Sequence, residues 1–567
     1  MNRGSLSSGS THSGPTSSGP ISALSRRQVL AGTAGLATLA VAGCGNSSAK
    51  QSDNLSANRT GAMDKYGVGD QFKATAPVSF PIMLLSNANY PYKASWLFWS
   101  ELAKRTNVTL QPTVIPGSDY NQKRSVMVSA GDAPFIIPKT YHPDEEAYIA
   151  GGAILPVSDY LDLMPNFKAK VAAWNLAGDL DQLREADGKF YLLPGLHQDV
   201  WVDYSIAVRT DILQQLNLSV PQTWDDVHTM LRAMKAAHPN MYPFSDRWST
   251  PPNPGADNLL AVVGAAYGTQ AGWNYQHSTW DSGSNKFVYT GAMDQYRQMI
   301  QYLNTLVSEK LLDPESFTQS DDQAKQKFAN GQSFVISANA QELVNFYRKD
   351  IAHIAGATVQ KIPVPTGPAG ATKVGSRTEN GVMISKQARN SKNFVAMMQF
   401  IDWLWYSDAG EVFAKWGVQG TTYTGDVNDG TFKLEPNITW AGVNPTGTKN
   451  LQSDYGFFNG VFAYGGSTKE LDSQFPAEEL AFQGVMNSRQ TLPLPPPHPL
   501  SVDDRETATL WETNLKDYVN QQTLKFILGQ RPVSEWDAYV SELKGRNSDQ
   551  YINLINKAYT GYKQSHG

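Results

Sequence analysis

Between Val78 and Ile137 the chain alternates short apolar runs with amphipathic stretches, and this alternation restricts the fold more than any other feature. It predicts strands over Val78–Leu85, Asn107–Ile115 and Phe135–Ile137. It predicts helices over Tyr92–Thr106, with Trp96, Trp99 and Ala103 as the apolar stripe, and over Tyr120–Ala130. A β-α-β-α-β order implies a parallel sheet covered by helices. Ligands of such sheets lie beyond the carboxyl ends of the strands. Two loops are therefore candidates: Ser86–Tyr90, which offers Asn87, Asn89 and Tyr90, and Pro138–His142, which offers Lys139 and Tyr141.

Further along, Thr223 is placed to cap a helix with Asp226 at its third position, and Val227, Met230, Leu231 and Met234 form its apolar stripe. Tyr296–Leu306 and Asn393–Tyr406 read as helices and Ser333–Ile336 as a strand. Near the end Gly529 closes one helix, Ser534 is expected to cap the next, and Trp536, Tyr539, Val540 and Leu543 line its buried face. About 490 residues follow the N-terminal region, too many for one hydrophobic core of ordinary size, so two lobes are expected.

The N-terminal region has its own logic. Arg26 and Arg27 precede an uncharged run, Val29–Ala42, that is too short to span a bilayer. The pattern is that of an export signal over 1–43, and the paired arginines suggest the twin-arginine route. Val41-Ala42-Gly43-Cys44 resembles a lipobox, which makes Cys44 the expected lipidation point and a membrane the expected anchorage. Residues 44–76, rich in Ser, Asn, Ala and Gly, read as a flexible tether. Cys44 is the one cysteine, which excludes disulfides and cysteine-based metal sites. A net charge of −5 gives no electrostatic footprint for nucleic acid. The nine histidines form no HExxH or paired metal spacing, and neither a phosphate-binding glycine loop nor a Gly-x-Ser-x-Gly elbow occurs, so no metal or cofactor is expected.

Several passages together carry a family resemblance: Ser129–Pro134, Leu155–Tyr160, Asp187–Pro194, Val208–Leu213 leading into Pro221–Trp224, Gly381–Lys386, Ile401–Leu404 and Trp536–Val540. The chain resembles the family 1 extracellular solute-binding lipoproteins of bacterial carbohydrate ABC transporters, in their long, oligosaccharide-associated branch. The resemblance implies an α/β, two-lobed periplasmic-binding-protein-like fold of type II, each lobe a sheet flanked by helices. The first lobe would span 77–204 plus about 367–420, and the second 205–366 plus about 421–567. A hinge would join them, a carbohydrate would lie in the cleft between them, and a monomer would deliver it to permease subunits. The chain also departs from the pattern. His238–Pro243 lacks the alternating carboxylates of a calcium loop. Lys310 stands where a glycine is usual, and Asn339 where an aromatic platform is common.

A sugar site needs flat aromatics for C–H faces and planar polar groups for hydroxyl pairs. The segment Gly195–Trp201 offers His197, Asp199 and Trp201, and Phe244–Trp248 offers Arg247 and Trp248. Arg377 and Glu379 precede the strand at Gly381, and Tyr455 lies in a late aromatic loop. Trp201 and Trp248 are expected to stack on sugar rings. Plentiful carboxylates leave a secreted glycoside hydrolase or polysaccharide lyase as the rival class, and a surface lipoprotein that recognises another protein as a third.

Overall fold

The structure, a computed structural model, describes residues 54–248, 255–374, 376–429 and 431–566. The export signal, Cys44 and the first part of the tether lie outside the described residues. The principal strands are β1 (Val78–Ser86), β2 (Val108–Pro116), β3 (Ile136–Thr140), β4 (Leu193–Leu196), β5 (Ser205–Arg209), β6 (Val335–Ala338), β7 (Val359–Lys361) and β8 (Thr378–Ile384).

In the first lobe they form a sheet ordered β2-β1-β3-β8-β4. β1 runs parallel to β2 and β3, while β8 returns antiparallel between β3 and β4. Alternation along β1 divides its side chains between two cores. Phe80, Ile82 and Leu84 enter one, and Met83 enters the other with Ile115, Ile137 and Met383. Both faces are therefore covered, as a parallel sheet requires. Helix Phe394–Tyr406 is buried along its whole length beneath this sheet. Its Asp402 accepts from the backbone N–H groups of Asn166 and Phe167, at 3.0 and 2.8 Å, and so satisfies the start of helix Pro165–Ala173.

In the second lobe β5 lies between β6 and β7, antiparallel to both. Helix Trp224–Ala237 packs here, and its capping box is present: Asp226 N–H donates to Thr223 Oγ1 and Thr223 N–H to Asp226 Oδ2, each at 3.0 Å. Such a cap is worth about 1 kcal/mol. Val227, Met230, Leu231 and Met234 are buried as expected.

The first core draws on residues from Ala62 to Leu196 and from Val382 to Tyr464, the second on Ile206 to Ile362 and Leu500 to Ile555. The chain therefore passes between the lobes at 197–205, 363–381 and 465–499. In the last two passages Thr372–Lys373 pairs in parallel with Gln490–Thr491.

Several expectations need correction. Residues 55–76 are not a free tether: Phe72 is buried against Phe400, and Tyr66 donates to Asp402 at 3.0 Å. Residues 421–464 belong to the first core rather than the second lobe, because Trp440, Phe457, Phe458 and Phe462 pack there. The first helix begins at Leu97 and buries Phe98 and Leu102. Trp96 precedes it, held by donation from its indole to Ser453 O at 3.1 Å. Pro138, Lys139 and Thr140 extend β3 rather than forming a loop. Ser534 lies inside a short 3-10 turn, and Glu535 takes the capping position. Lys310 adopts φ +59°, a left-handed conformation at the position where glycine is usual.

Candidate functional site

The first-lobe half of the site forms where the sheet's strand ends converge. Pairing of Glu379 with Gly195 across β8 and β4 sets the carboxylate beside the end of β4. His197 Nε2 lies 2.9 Å from Glu379 Oε2, while Asn380 Nδ2 donates to Oε1 at 2.9 Å and Gly465 N–H to Oε2 at 3.3 Å. Gly465 is left-handed at φ +73°, and its carbonyl accepts from Lys415 Nζ at 2.6 Å, which fixes that turn. Burial opposes ionisation of Glu379, but His197, Lys139 and Gly465 together lower its pKa below the ordinary value.

At the end of β3, Lys139 is left-handed at φ +57°, a strained conformation for a residue with a Cβ. Its ammonium donates to Tyr141 O–H at 3.4 Å and, with the Tyr90 hydroxyl, lies against Gly460. Burial lowers the Lys139 pKa, yet Tyr141, Glu379 and Tyr90 outweigh it and leave the ammonium above its ordinary value. The Tyr141 ring is half exposed. Asn87 and Tyr90 form a bridge that closes the loop after β1, and Asn89 N–H donates to Asn87 Oδ1 at 2.9 Å.

The second-lobe half is aromatic. Tyr204, Trp248 and Trp273 form a cluster with ring centroids 4.9–5.5 Å apart. Trp248 is also left-handed, at φ +66°, and its N–H donates to Asp321 Oδ1 at 2.8 Å. Burial, then the charges of Asp203 and Tyr141, raise the Tyr204 pKa far above its ordinary value, while a hydrogen bond with Asn339 opposes them. The charges of first-lobe residues Tyr141 and Glu379 thus act on Tyr204, as does the side chain of second-lobe residue Asn339.

The other sequence candidates are placed differently. Trp201 stacks on Phe475, with centroids 5.0 Å apart and planes 20° apart, so one of its faces is occupied. Asp199 accepts from Thr468 Oγ1 at 2.5 Å on the third passage. Arg247 is buried and turns to Asp321 at 2.7 Å, to Glu342 and to Tyr347, so it braces the second lobe rather than offering donors to the cleft. Arg377 donates to Asp179, Trp174 O and Asn175 O at 2.6–2.9 Å, which ties it to the first lobe's helices. Tyr455 packs against the first core. Sequence reasoning missed Asp203, Tyr204 and Trp273. The first two lie two and three residues after Trp201, and nothing around Trp273 distinguishes it from a core residue.

The model of the bacterial extracellular solute-binding protein family matches residues 87–411. The chain belongs to this family. As a solute-binding protein it is similar to the fructooligosaccharide ABC transporter substrate-binding protein FusA of Streptococcus pneumoniae serotype 4, with 24% identity over 492 residues, 82% of this chain and 87% of the relative. It is also similar to the polygalacturonan/rhamnogalacturonan-binding protein YtcQ of Bacillus subtilis, with 20% identity over 465 residues, 81% of this chain and 87% of that one. Among solved structures, alginate-binding protein AlgQ2 without calcium ion superposes with a TM-score of 0.68 at 20% identity, covering 86% of this chain and 99% of the other. FusA in complex with kestose gives 0.64 at 20% identity, covering 86% and 100%. These structural likenesses establish the two-lobed solute-binding fold.

Proposed function

We propose that this solute-binding protein captures a sugar or oligosaccharide between its lobes and delivers it, chemically unchanged, to the permease of an ABC importer. The observation that carries the reading is the aromatic cluster Tyr204–Trp248–Trp273, close to the half-exposed Tyr141 and the carboxylate of Glu379. Aromatic faces beside hydrogen-bonding groups suit the alternating apolar and hydroxylated surfaces of a pyranose or furanose. The ligands named for the relatives are saccharides, which supports the same reading. No catalytic step, metal or cofactor enters this reading. The working unit is a monomer, exported through the twin-arginine route and held at the outer face of the cell membrane by a lipid on Cys44. The site residues are Asn87, Asn89, Tyr90, Lys139, Tyr141, His197, Glu379 and Trp248, joined by Tyr204, Trp273 and Asn339.

Differential scanning fluorimetry against mono- and oligosaccharides, followed by chromatography of the recovered sugars, tests the reading. A raised melting temperature with intact sugar supports it, since a ligand that binds only the native state stabilises it. Shortened sugar would replace it with a secreted carbohydrate-active enzyme. Fractionating cells that carry Cys44→Ala tests the anchor, and protein still membrane-bound would contradict lipidation there. Arg26→Lys with Arg27→Lys tests the route.

A further inference from the structure

Asp203 lies on the first passage between lobes, between Trp201 and Tyr204. Its backbone carbonyl accepts from Lys361 Nζ at 3.0 Å, but its carboxylate has no hydrogen bond or ion pair among the described residues. The nearby cation does not answer it: Lys361 Nζ pairs with Glu479 Oε1 at 2.7 Å. Glu379, itself bonded to His197, adds a third carboxylate. Of the other cations close to the site, Arg247 is bound to Asp321 and Glu342, while Lys139 forms no ion pair among the described residues and donates to Tyr141 O–H, its charge acting on Glu379. Residues 249–254, next to Trp248, carry no charged side chain. A half-buried carboxylate with no side-chain partner among the described residues, beside an aromatic cluster, is costly for the fold to keep, and the charges of Lys361 and His197 offset that cost only in part.

We infer that Asp203 contacts the ligand directly, accepting hydrogen bonds from hydroxyls of an uncharged saccharide, and that it turns uronates away from this cleft. The inference rests on the saccharide reading above and narrows it. A carboxylate offers two acceptor oxygens and suits a pair of adjacent ring hydroxyls. A ligand carboxylate in the same place would face the charge of Asp203, on which Glu479 and Glu379 already act.

Burial, with Glu479 and Glu379, raises the Asp203 pKa to about 6, against the lowering effects of Lys361 and His197. The ionised form therefore destabilises the ligand-free fold, and that cost grows as pH rises from the ordinary value of 3.8 through 6. An amide at this position removes the cost. Asp203→Asn is expected to melt, without ligand, at or above the wild-type temperature at pH 7 while binding sugar at least tenfold more weakly. Wild-type affinity is expected to fall roughly tenfold from pH 7 to pH 5 as Asp203 takes a proton, and the Asn variant to lose that fall.

The test is calorimetric titration of the full chain with kestose, maltotriose, cellotriose and trigalacturonate, on wild type and Asp203→Asn, at pH 5 and 7, with ligand-free melting measured in parallel. Binding of a neutral trisaccharide but not of trigalacturonate, with the variant behaving as stated, supports the inference. Unchanged affinity in the variant, its loss together with a lowered ligand-free melting temperature, or equal binding of trigalacturonate overturns the inference and leaves the saccharide reading standing. Binding of no sugar to wild type overturns both.

Discussion

His197 Nε2 and Glu379 Oε2 lie 2.9 Å apart at the first-lobe edge of the cleft, joining the end of β4 to the start of β8. Because the Glu379 pKa is lowered in the fold, its stabilising contribution is present above the ordinary value of 4.5 and is lost as pH falls through the folded value. Melting temperatures of wild type and Glu379→Gln between pH 7 and pH 3.5 check this. The wild-type curve is expected to fall more steeply in acid. Parallel curves would remove the pair from the account.

The aromatic cluster should serve binding more than folding. Trp248→Ala and Trp273→Ala are each expected to weaken sugar binding by about 1–3 kcal/mol, which is roughly five- to 150-fold. Ligand-free melting should change by only a few degrees. Trp201→Ala should instead lower stability through loss of its stacking on Phe475. Titration and melting on the same samples separate the roles, and a strongly destabilised Trp248 variant with normal affinity would move that residue to the core.

Arg247 predicts the opposite balance. It is buried between Asp321 and Glu342, so Arg247→Ala strands two carboxylates without their cation. Breaking such a buried pair costs about 3–5 kcal/mol. Urea unfolding should show a lower midpoint, whereas a normal midpoint with lost affinity would return Arg247 to the list of ligand contacts.

A second ionic cluster joins the lobes. Arg505, from the second lobe's helix Val502–Ile527, pairs with Glu146 and lies 3.9 Å from Glu185, both in the first lobe. His142 Nδ1 lies 2.7 Å from Glu145 Oε1 beside it. Burial opposes a charge on His142, but Glu145, then Glu146 and Glu185, raise its pKa from 6.5 to about 9. A raised folded value means its stabilisation is complete below 6.5 and is lost as pH rises through 9. Melting should decline between pH 7 and pH 9.5, and His142→Gln should flatten that decline. An unchanged slope in the variant would contradict the assignment.

Local periodicity made much of the framework legible. Helix Tyr120–Ala130, β1 and the Thr223 capping box stand where the apolar spacing and capping residues place them. What failed depends on partners distant in sequence. Tyr66 and Phe72 are anchors within a stretch whose average composition is that of a linker, and partners remote in sequence, Asp402, Asn166 and Phe400, make them structural. Trp440 and Phe458, stacked 4.5 Å apart, hold a non-periodic segment in the first core. In the site, Glu379, Lys139, Tyr141 and Trp248 were readable as polar or aromatic residues near strand ends and family motifs. Arg247 and Arg377 were not separable from ligand contacts, because their carboxylate and carbonyl partners arrive from remote elements. Tyr204 and Trp273 acquire meaning only when the second lobe folds them together.

The most direct test of the central claim is isothermal titration calorimetry of the ligand-free protein with neutral oligosaccharides, kestose among them, with the recovered sugar sized afterwards. Saturable heat at one site per chain and sugar of unchanged length are expected. Heat from none of the sugars, or sugar recovered in shorter pieces, would contradict the claim.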